Sequence, residues 1–262
     1  MTSSPGASSS EGRNSPALSS ATETGNVAAD KQGRVGALIF DLDGLLVDSE
    51  PLWFEVEGAY LARWGHTWTK QEALRCMGQG TPSTLRIWQA KYGIDVDIER
   101  DTSAIIDTMI ARANDMVLMK GATALLEQAA EQRVPMAVAS SSPRRLIEAV
   151  LRAKEVRDYF TAIASGQEVA RSKPAPDVFL KAAALLNVPI HRCIVLEDAL
   201  SGVRGAVAAG ARVVAVPSTV APPAPEALRT MRELATWLVE DLDQAGVVLF
   251  NELATQCGGK GK

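Results

Sequence analysis

Between residues 34 and 217, short and continuously apolar runs alternate with longer stretches whose apolar positions recur every three or four residues. The runs at 35–40, 135–139, 162–165, 194–196 and 213–216 lack the polar alternation of a half-exposed strand, so they predict strands covered on both faces. Helical spacing occupies 122–132, 143–154, 176–186 and 201–209. Strand-helix alternation of this kind predicts an α/β fold, a doubly wound parallel sheet of Rossmann-like type with right-handed crossovers.

One interval breaks the rhythm. Residues 51–119 carry helical patterns at 53–64, 83–92 and 98–117 with almost no strand-like run, which predicts a small all-helical cap domain inserted after the first strand. The α/β core domain is then 34–50 together with 120–250, closing on a helix around 225–242. Residues 1–33 are rich in Ser, Gly, Ala and Thr with hardly a large apolar side chain, and are expected to be a disordered tail. Residues 251–262 are expected to form a flexible end.

Composition narrows the function classes. A chain of 262 residues, 47% hydrophobic and 22% charged, can bury a substantial core. The net charge of -4 comes from intermixed acids and bases. It offers a phosphodiester backbone no basic stripe, so no nucleic-acid partner is expected. Cys76, Cys193 and Cys257 show no metal-ligand spacing and read as reduced thiols of a cytosolic protein. The two histidines, His66 and His191, stand alone and supply neither a zinc site nor a His-based triad. No apolar run is long enough to span a bilayer and the amino terminus lacks the apolar core of a secretory signal, so the expectation is a soluble, cytoplasmic monomer with no membrane partner.

Carboxylates remain to carry chemistry. In an open parallel sheet, ligands bind beyond the carboxyl ends of the strands. Asp41-Leu42-Asp43-Gly44 follows the first run, Ser140-Ser141-Ser142-Pro143 the second and Glu197-Asp198 the fourth, while Lys173 precedes Pro174 in a stiff loop. Four carboxylates in one crevice repel one another unless a cation sits among them, and an all-oxygen set suits magnesium. Asp41 and Asp43, two apart on extended chain, point the same way, and Gly44 permits a sharp turn after them. The Ser140 hydroxyl, the start of the following helix and the Lys173 ammonium suit a dianionic phosphate. A nucleophile, charge neutralisation and a proton source are what phosphoryl transfer demands, and this set can supply all three.

Residues 40–49 (FDLDGLLVDS), 139–142 (ASSS), 172–177 (SKPAPD) and 196–202 (LEDALSG) resemble the four ordered motifs of the haloacid dehalogenase superfamily. The resemblance covers about 36–217 and is strongest to the branch of β-phosphoglucomutase and the sugar-phosphate phosphatases, which carries a helical cap between its first two motifs. It implies that Asp41 attacks phosphorus, and that Asp43 protonates the leaving oxygen and then activates water. It further implies that Ser140, Ser141 and Lys173 hold phosphoryl oxygens, while Asp41, the Asp43 main-chain carbonyl, Glu197 and Asp198 position magnesium. The activity so implied is phosphatase action on a small phosphorylated metabolite, a sugar or polyol phosphate.

Two other readings share this material. A phosphomutase would need the cap to hold a second phosphate, yet Trp53 stands where β-phosphoglucomutase has a histidine and Thr81 aligns with its phosphate-binding arginine. A signalling receiver also uses an acidic magnesium site and a phosphoacceptor aspartate, but an acid/base two residues on favours turnover. Elsewhere, Asp48 and Ser49 read as helix-entry residues and Ser142 as a helix cap. Gly78-Gln79-Gly80 reads as a hinge or substrate-facing turn. Trp53, Trp64, Trp68 and Trp88 read as cap core and rim, and Arg144-Arg145 as a solvated helix face.

Overall fold

The computed structural model describes Met1 and residues 34–76, 80–219 and 222–257. The expected amino-terminal tail, Gly78 and Gln79, and the last five residues lie outside this set. Five strands fall where the apolar runs place them: β1 (Ala37–Phe40), β4 (Met136–Ser140), β5 (Ala162–Ser165), β6 (Cys193–Glu197) and β7 (Arg212–Ala215). With β8 (Trp237–Leu238) they form a six-stranded sheet in the order β5-β4-β1-β6-β7-β8, parallel throughout. Because β1 is flanked by β4 on one side and β6 on the other, the chain reverses its direction of travel across the sheet at β1. That is the position at which doubly wound sheets open a crevice.

Each strand feeds two cores, since successive side chains point to opposite faces. Leu38 and Phe40 of β1 join Val138, Ile194, Leu196 and Val214 in one apolar cluster, while Ala37 and Ile39 join Ala137, Ala139, Val195 and Val213 in the other. The first face is covered by α5 (Ala122–Glu131), α6 (Arg144–Ala153) and α10 (Leu242–Cys257). The second is covered by α7 (Asp177–Leu185), α8 (Leu200–Ala209) and α9 (Pro225–Leu234). Both faces are dry, which is why these strands read as unbroken apolar runs.

Between β2 (Val47–Asp48) and β3 (Val117–Leu118) lie four helices: α1 (Glu50–Ala62), α2 (Lys70–Cys76), α3 (Thr81–Tyr92) and α4 (Ile98–Ala111). The antiparallel pairing of β2 with β3 brings the two ends of this insertion together. Its interior is aromatic. The Trp88 ring, 1% exposed, is 4.9 Å from Trp68 edge-on and 5.9 Å from Tyr60 in a stack. Trp68 and Trp88 are thus the helical core foreseen for them, whereas Trp64 is exposed.

Three local departures have physical reasons. The helical pattern at 98–117 ends at Ala111, and Val117 turns instead into the two-residue ladder with β2. The helix expected over 225–242 is two helices separated by β8, because the Thr236 hydroxyl accepts from Val213 N–H at 3.0 Å and draws this segment to the sheet edge. Finally, α10 carries helix through Cys257, into the stretch read as a flexible end. Trp88→Ala should remove the ring that joins α1, α3 and the segment around Trp68, costing about 3–5 kcal/mol. Urea unfolding measures this, and a loss below about 1 kcal/mol would show that the helical insertion does not depend on that ring.

Candidate active site

Four strand ends and one loop meet at the crevice. Asp41 follows β1 directly, its N–H donating to Leu196 O at 3.1 Å, so the last rung of the β1-β6 ladder fixes its backbone beside Glu197. Glu197 closes β6, Ser140 closes β4 and Ser165 closes β5. Lys173 reaches in from the loop before α7, its Nζ 5.0 Å from the centre of the Phe179 ring. The Lys173–Pro174 peptide bond is cis.

Lys173 Nζ donates to Asp41 Oδ1 at 2.5 Å and also to Glu197 Oε1. Both bonds are buried, with side-chain exposures of 6% for Lys173, 8% for Asp41 and 1% for Glu197. The other Glu197 oxygen accepts from Ala199 N–H at 3.3 Å. Asp198 joins the group, since Asp41, Glu197 and Asp198 each present an oxygen within 4.8 Å of the others. Asp198 makes no hydrogen bond to a described residue.

The electrostatics follow from burial. Desolvation drives the Asp41 carboxyl well above the usual range, Lys173 opposes it, and Glu197 and Asp43 add to it. Asp198 is raised by desolvation and then by Glu197 and Asp41. For Lys173, burial alone would lower the ammonium, but Asp41 and Glu197 outweigh it and hold it above its ordinary value. Three carboxylates against one ammonium leave two negative charges when all are ionised, the complement of a divalent cation. The all-oxygen donor set and the clustering of Asp198 with Asp41 fit magnesium.

Two glycines keep the carboxylates in place. Gly44, at φ +85°, turns the chain back so that its N–H donates to Val47 O at 2.8 Å; a Cβ there would lie 2.3 Å from Asp198 Oδ2. Glu197 lies against the first turns of α8, where a Cβ on Gly202 would sit 1.9 Å from its carboxyl carbon. This explains the small residue in the first turn of that helix better than any helical preference does.

Asp43 points away from this cluster and accepts four hydrogen bonds. Ser49 Oγ donates at 2.8 Å and Trp53 Nε1 at 3.3 Å to Oδ1, while Ser142 Oγ donates at 2.8 Å and Ser140 Oγ at 3.3 Å to Oδ2. Ser140 Oγ in turn accepts from Ser142 N–H at 3.0 Å, and Ser165 Oγ donates to Ser142 O at 2.7 Å. Here the structure extends one sequence reading and corrects two, since Ser49 does stand at the helix entry foreseen for it but sends its hydroxyl to Asp43. Ser49 stands at the N-cap of α1 without a side-chain cap bond, Pro143 rather than Ser142 precedes α6, and Trp53 is no mere rim residue: all three side chains serve or flank the Asp43 carboxylate. The spacing of Ser49 and Trp53, one helical turn apart on a chain that doubles back at Gly44, is the signal that leads to them.

The crevice continues into a cavity of about 300 Å³ lined by Asp41, Asp43, Ser140, Ser141, Lys173, Glu197 and Asp198. All seven site residues foreseen from sequence are therefore brought to one cavity. Its other walls come from α1 to α4 and include Glu50, Glu57 and Gly80, none assigned to a site from sequence apart from the turn at Gly80. Burial and the charges of Asp43 and Asp48 raise Glu50 to about 7. Burial and Glu50 raise Glu57 to about 8, the Trp68 indole opposing. Arg144 pairs with Glu168, and Arg145 reaches α4, donating to Ser103 O and Ser103 Oγ at 3.1 Å and pairing with Asp107. That pair therefore links elements rather than standing free in solvent. Cys76 and Cys193 are buried free thiols, and no helix among the described residues is long and apolar enough to cross a membrane.

Comparison with known proteins agrees in fold and sequence. The profile of the haloacid dehalogenase-like hydrolases matches residues 38–216. Hexitol phosphatase B of Escherichia coli (strain K12) is 34% identical over 188 residues, 70% of this chain and 83% of that protein. A phosphorylated carbohydrates phosphatase of Thermotoga maritima is 30% identical over 180 residues, 66% of this chain and 81% of that one. The crystal structure of CbbY from Rhodobacter sphaeroides in complex with phosphate superposes with a TM-score of 0.71 at 25% identity, covering 82% of this chain and 99% of that chain.

Removing the ammonium leaves a buried carboxylate group without its counter-charge. Lys173→Met is expected to cost about 3–5 kcal/mol in urea unfolding at neutral pH, with part of the deficit recovered on adding magnesium. A loss under about 1 kcal/mol would mean that Asp41 and Glu197 do not lean on Lys173.

Proposed function

This chain belongs to the haloacid dehalogenase-like hydrolase family, and we propose that it is a magnesium-dependent phosphatase acting on a small phosphorylated metabolite, a sugar or polyol phosphate, through a phosphoryl-aspartate on Asp41. The observation that carries the reading is the buried bridge from Lys173 to both Asp41 and Glu197, with Asp198 alongside, at the carboxyl edge of a parallel sheet. A phosphate dianion lodged there meets an ammonium next to the attacking oxygen. The names of the hexitol and carbohydrate phosphatases support the substrate class.

In the first step an Asp41 oxygen forms a bond to phosphorus as the bond to the leaving alkoxide breaks, and Asp43 gives that alkoxide its proton. In the second, Asp43 takes a proton from water, whose oxygen attacks the same phosphorus and frees Asp41 with release of inorganic phosphate. Lys173 neutralises one phosphoryl oxygen, and Ser140, Ser141 and the first turn of α6 offer donors to the others. The hydrogen bonds from Ser49, Trp53 and Ser142 hold the Asp43 carboxyl at the mouth of the site. Asp41, Asp198, the Asp43 main-chain carbonyl and the neighbouring Glu197 would hold magnesium, which supplies charge neutralisation of the phosphoryl group. Helices α1 to α4 act as a cap that keeps bulk water from the first step. Against the phosphomutase alternative, Lys173 is the single cation among the described residues lining the cavity, so nothing described there holds a second phosphate.

Phosphate release tests these roles. Asp41→Asn is expected to abolish turnover while retaining substrate binding, and activity within tenfold of the parent would reject Asp41 as nucleophile. Asp43→Asn should lower kcat by about 10²–10⁴-fold, since it disables both proton transfers; unchanged steady-state turnover would remove it as acid and base. Stripping divalent cations with a chelator should stop phosphate release and magnesium should restore it, whereas turnover indifferent to chelation argues against the metal role.

A further inference from the structure

Helix α6 opens on Arg144 and Arg145, with no acidic residue in its first turn. The positive end of a helix dipole disfavours cations there, so the helix itself does not account for them. Arg144 is explained within the core, where it pairs with Glu168 and donates to Ile163 O at 2.7 Å. Arg145 turns the other way, toward the inserted helices. Its Nη2 donates to Ser103 O and to Ser103 Oγ, each at 3.1 Å, and its Nη1 pairs with Asp107. Ser103 and Asp107, four residues apart, share one face of α4. Of the ion pairs among the described residues, this is the one that joins the inserted helices to the sheet domain.

The position of the pair is informative. Ser103 follows Thr102, a residue of the cavity wall, and Arg145 follows by three residues Ser142, whose hydroxyl holds Asp43. At the other end of α6, Lys154 Nζ donates to Asn114 O at 2.9 Å and Met116 O at 2.6 Å, beside the β2-β3 ladder where the insertion rejoins the core. Nine residues of helix separate Arg145 from Lys154, a rise of about 13 Å. A cap that turns about the ladder therefore moves little at Lys154 and more at Arg145. The Arg145 and Asp107 side chains are 44% and 61% exposed, so their bond is open to water and breaks at small cost.

We propose that Arg145 is a positioning residue, a reversible latch that holds α4 against the turn bearing Ser140, Ser141 and Ser142 through Ser103 and Asp107. The proposal rests on the phosphatase reading above and adds to it the contact that holds the cap in place during the reaction. With the latch made, the α4 wall stays over the phosphoryl group and bulk water is kept out. With it broken, the cap is free to turn and let product leave. Three acceptors are met at once because the guanidinium is a planar fork, whereas a lysine ammonium is a point donor on a flexible stem.

The test reads cap position in two ways, in the parent and in Arg145→Met, Arg145→Lys, Asp107→Asn and the exchanged pair Arg145→Asp with Asp107→Arg. The first is kcat/KM for phosphate release from sorbitol 6-phosphate with magnesium. The second, independent of turnover, is the rate at which iodoacetamide alkylates Cys76, followed by peptide mass spectrometry, since Cys76 is 8% exposed and lines the cavity from the cap side. Arg145→Met should lower kcat/KM about fivefold and speed Cys76 alkylation by a similar factor, with the urea midpoint unchanged. Asp107→Asn should follow it in direction, Arg145→Lys should keep part of both properties, and the exchanged pair should regain most of the loss because the two sites are coupled. Arg145→Met with both rates within twofold of the parent overturns the latch, as does a lowered urea midpoint with neither rate changed. An exchanged pair no better than Arg145→Met overturns the pairing with Asp107. A parent that releases no phosphate overturns the phosphatase reading, and the alkylation rates then decide the latch by themselves.

Discussion

An ammonium buried between two carboxylates is the interaction around which this molecule is arranged. Lys173, Asp41 and Glu197 are each at least nine-tenths removed from solvent, where an unpaired charge would be prohibitive. The pair is not free-standing: Asp41 is set by the β1-β6 ladder, Glu197 by the end of β6 and the gap left by Gly202, and Lys173 by the loop entering α7. Breaking any one of these supports leaves a charge uncompensated, so the sheet and the site stand or fall together.

That arrangement leaves a surplus of negative charge on the Asp198 side. Gly44 matters here because its positive φ sends the chain away from β1, and its missing side chain lets Asp198 approach. The same turn carries the chain through β2 into α1, and it is this return that places Ser49 and Trp53 against Asp43. One tight turn thus serves two carboxylates with opposite requirements. Asp198 makes no hydrogen bond to a described residue, while Asp43 is held by four donors. In the proposed roles, a group that shares a cation benefits from the first state, and a group that holds one orientation while protons pass benefits from the second.

The sheet was legible because strands covered on both faces cannot conceal themselves: Ile39, Val138, Ile163 and Val195 have no polar neighbours to alternate with. Six of the seven candidate residues were legible for a related reason, since polar groups that interrupt such runs at their carboxyl ends have few structural duties, whereas Lys173 lies in a loop and stood out only through the 172–177 motif. What escaped is what depends on chain direction after a turn. The two-residue strands β2 and β3 carry too little pattern to be seen, and β8 hides in a segment of helical composition held at the sheet edge by Thr236. Ser49 and Trp53 look like a helix entry and a rim aromatic until the reversal at Gly44 is known. Glu50 and Glu57 look like ordinary solvated residues, because their burial comes from α2, α3 and α4 rather than from their own neighbours.

Acidic groups on both sides of one cavity raise a question of balance. On the sheet side, Asp41, Glu197 and Asp198 face an ammonium and can share a cation, so that an incoming phosphate finds compensating charge. On the helical side, Glu50 and Glu57 have no such compensation among the described residues, and burial raises both carboxyls toward neutrality. The cavity is therefore polarised: charge is tolerated at the sheet edge and discouraged beneath the helices. A monophosphate ester with a neutral tail matches that polarity end to end. A molecule charged at both ends matches it in one half only, whichever way it enters.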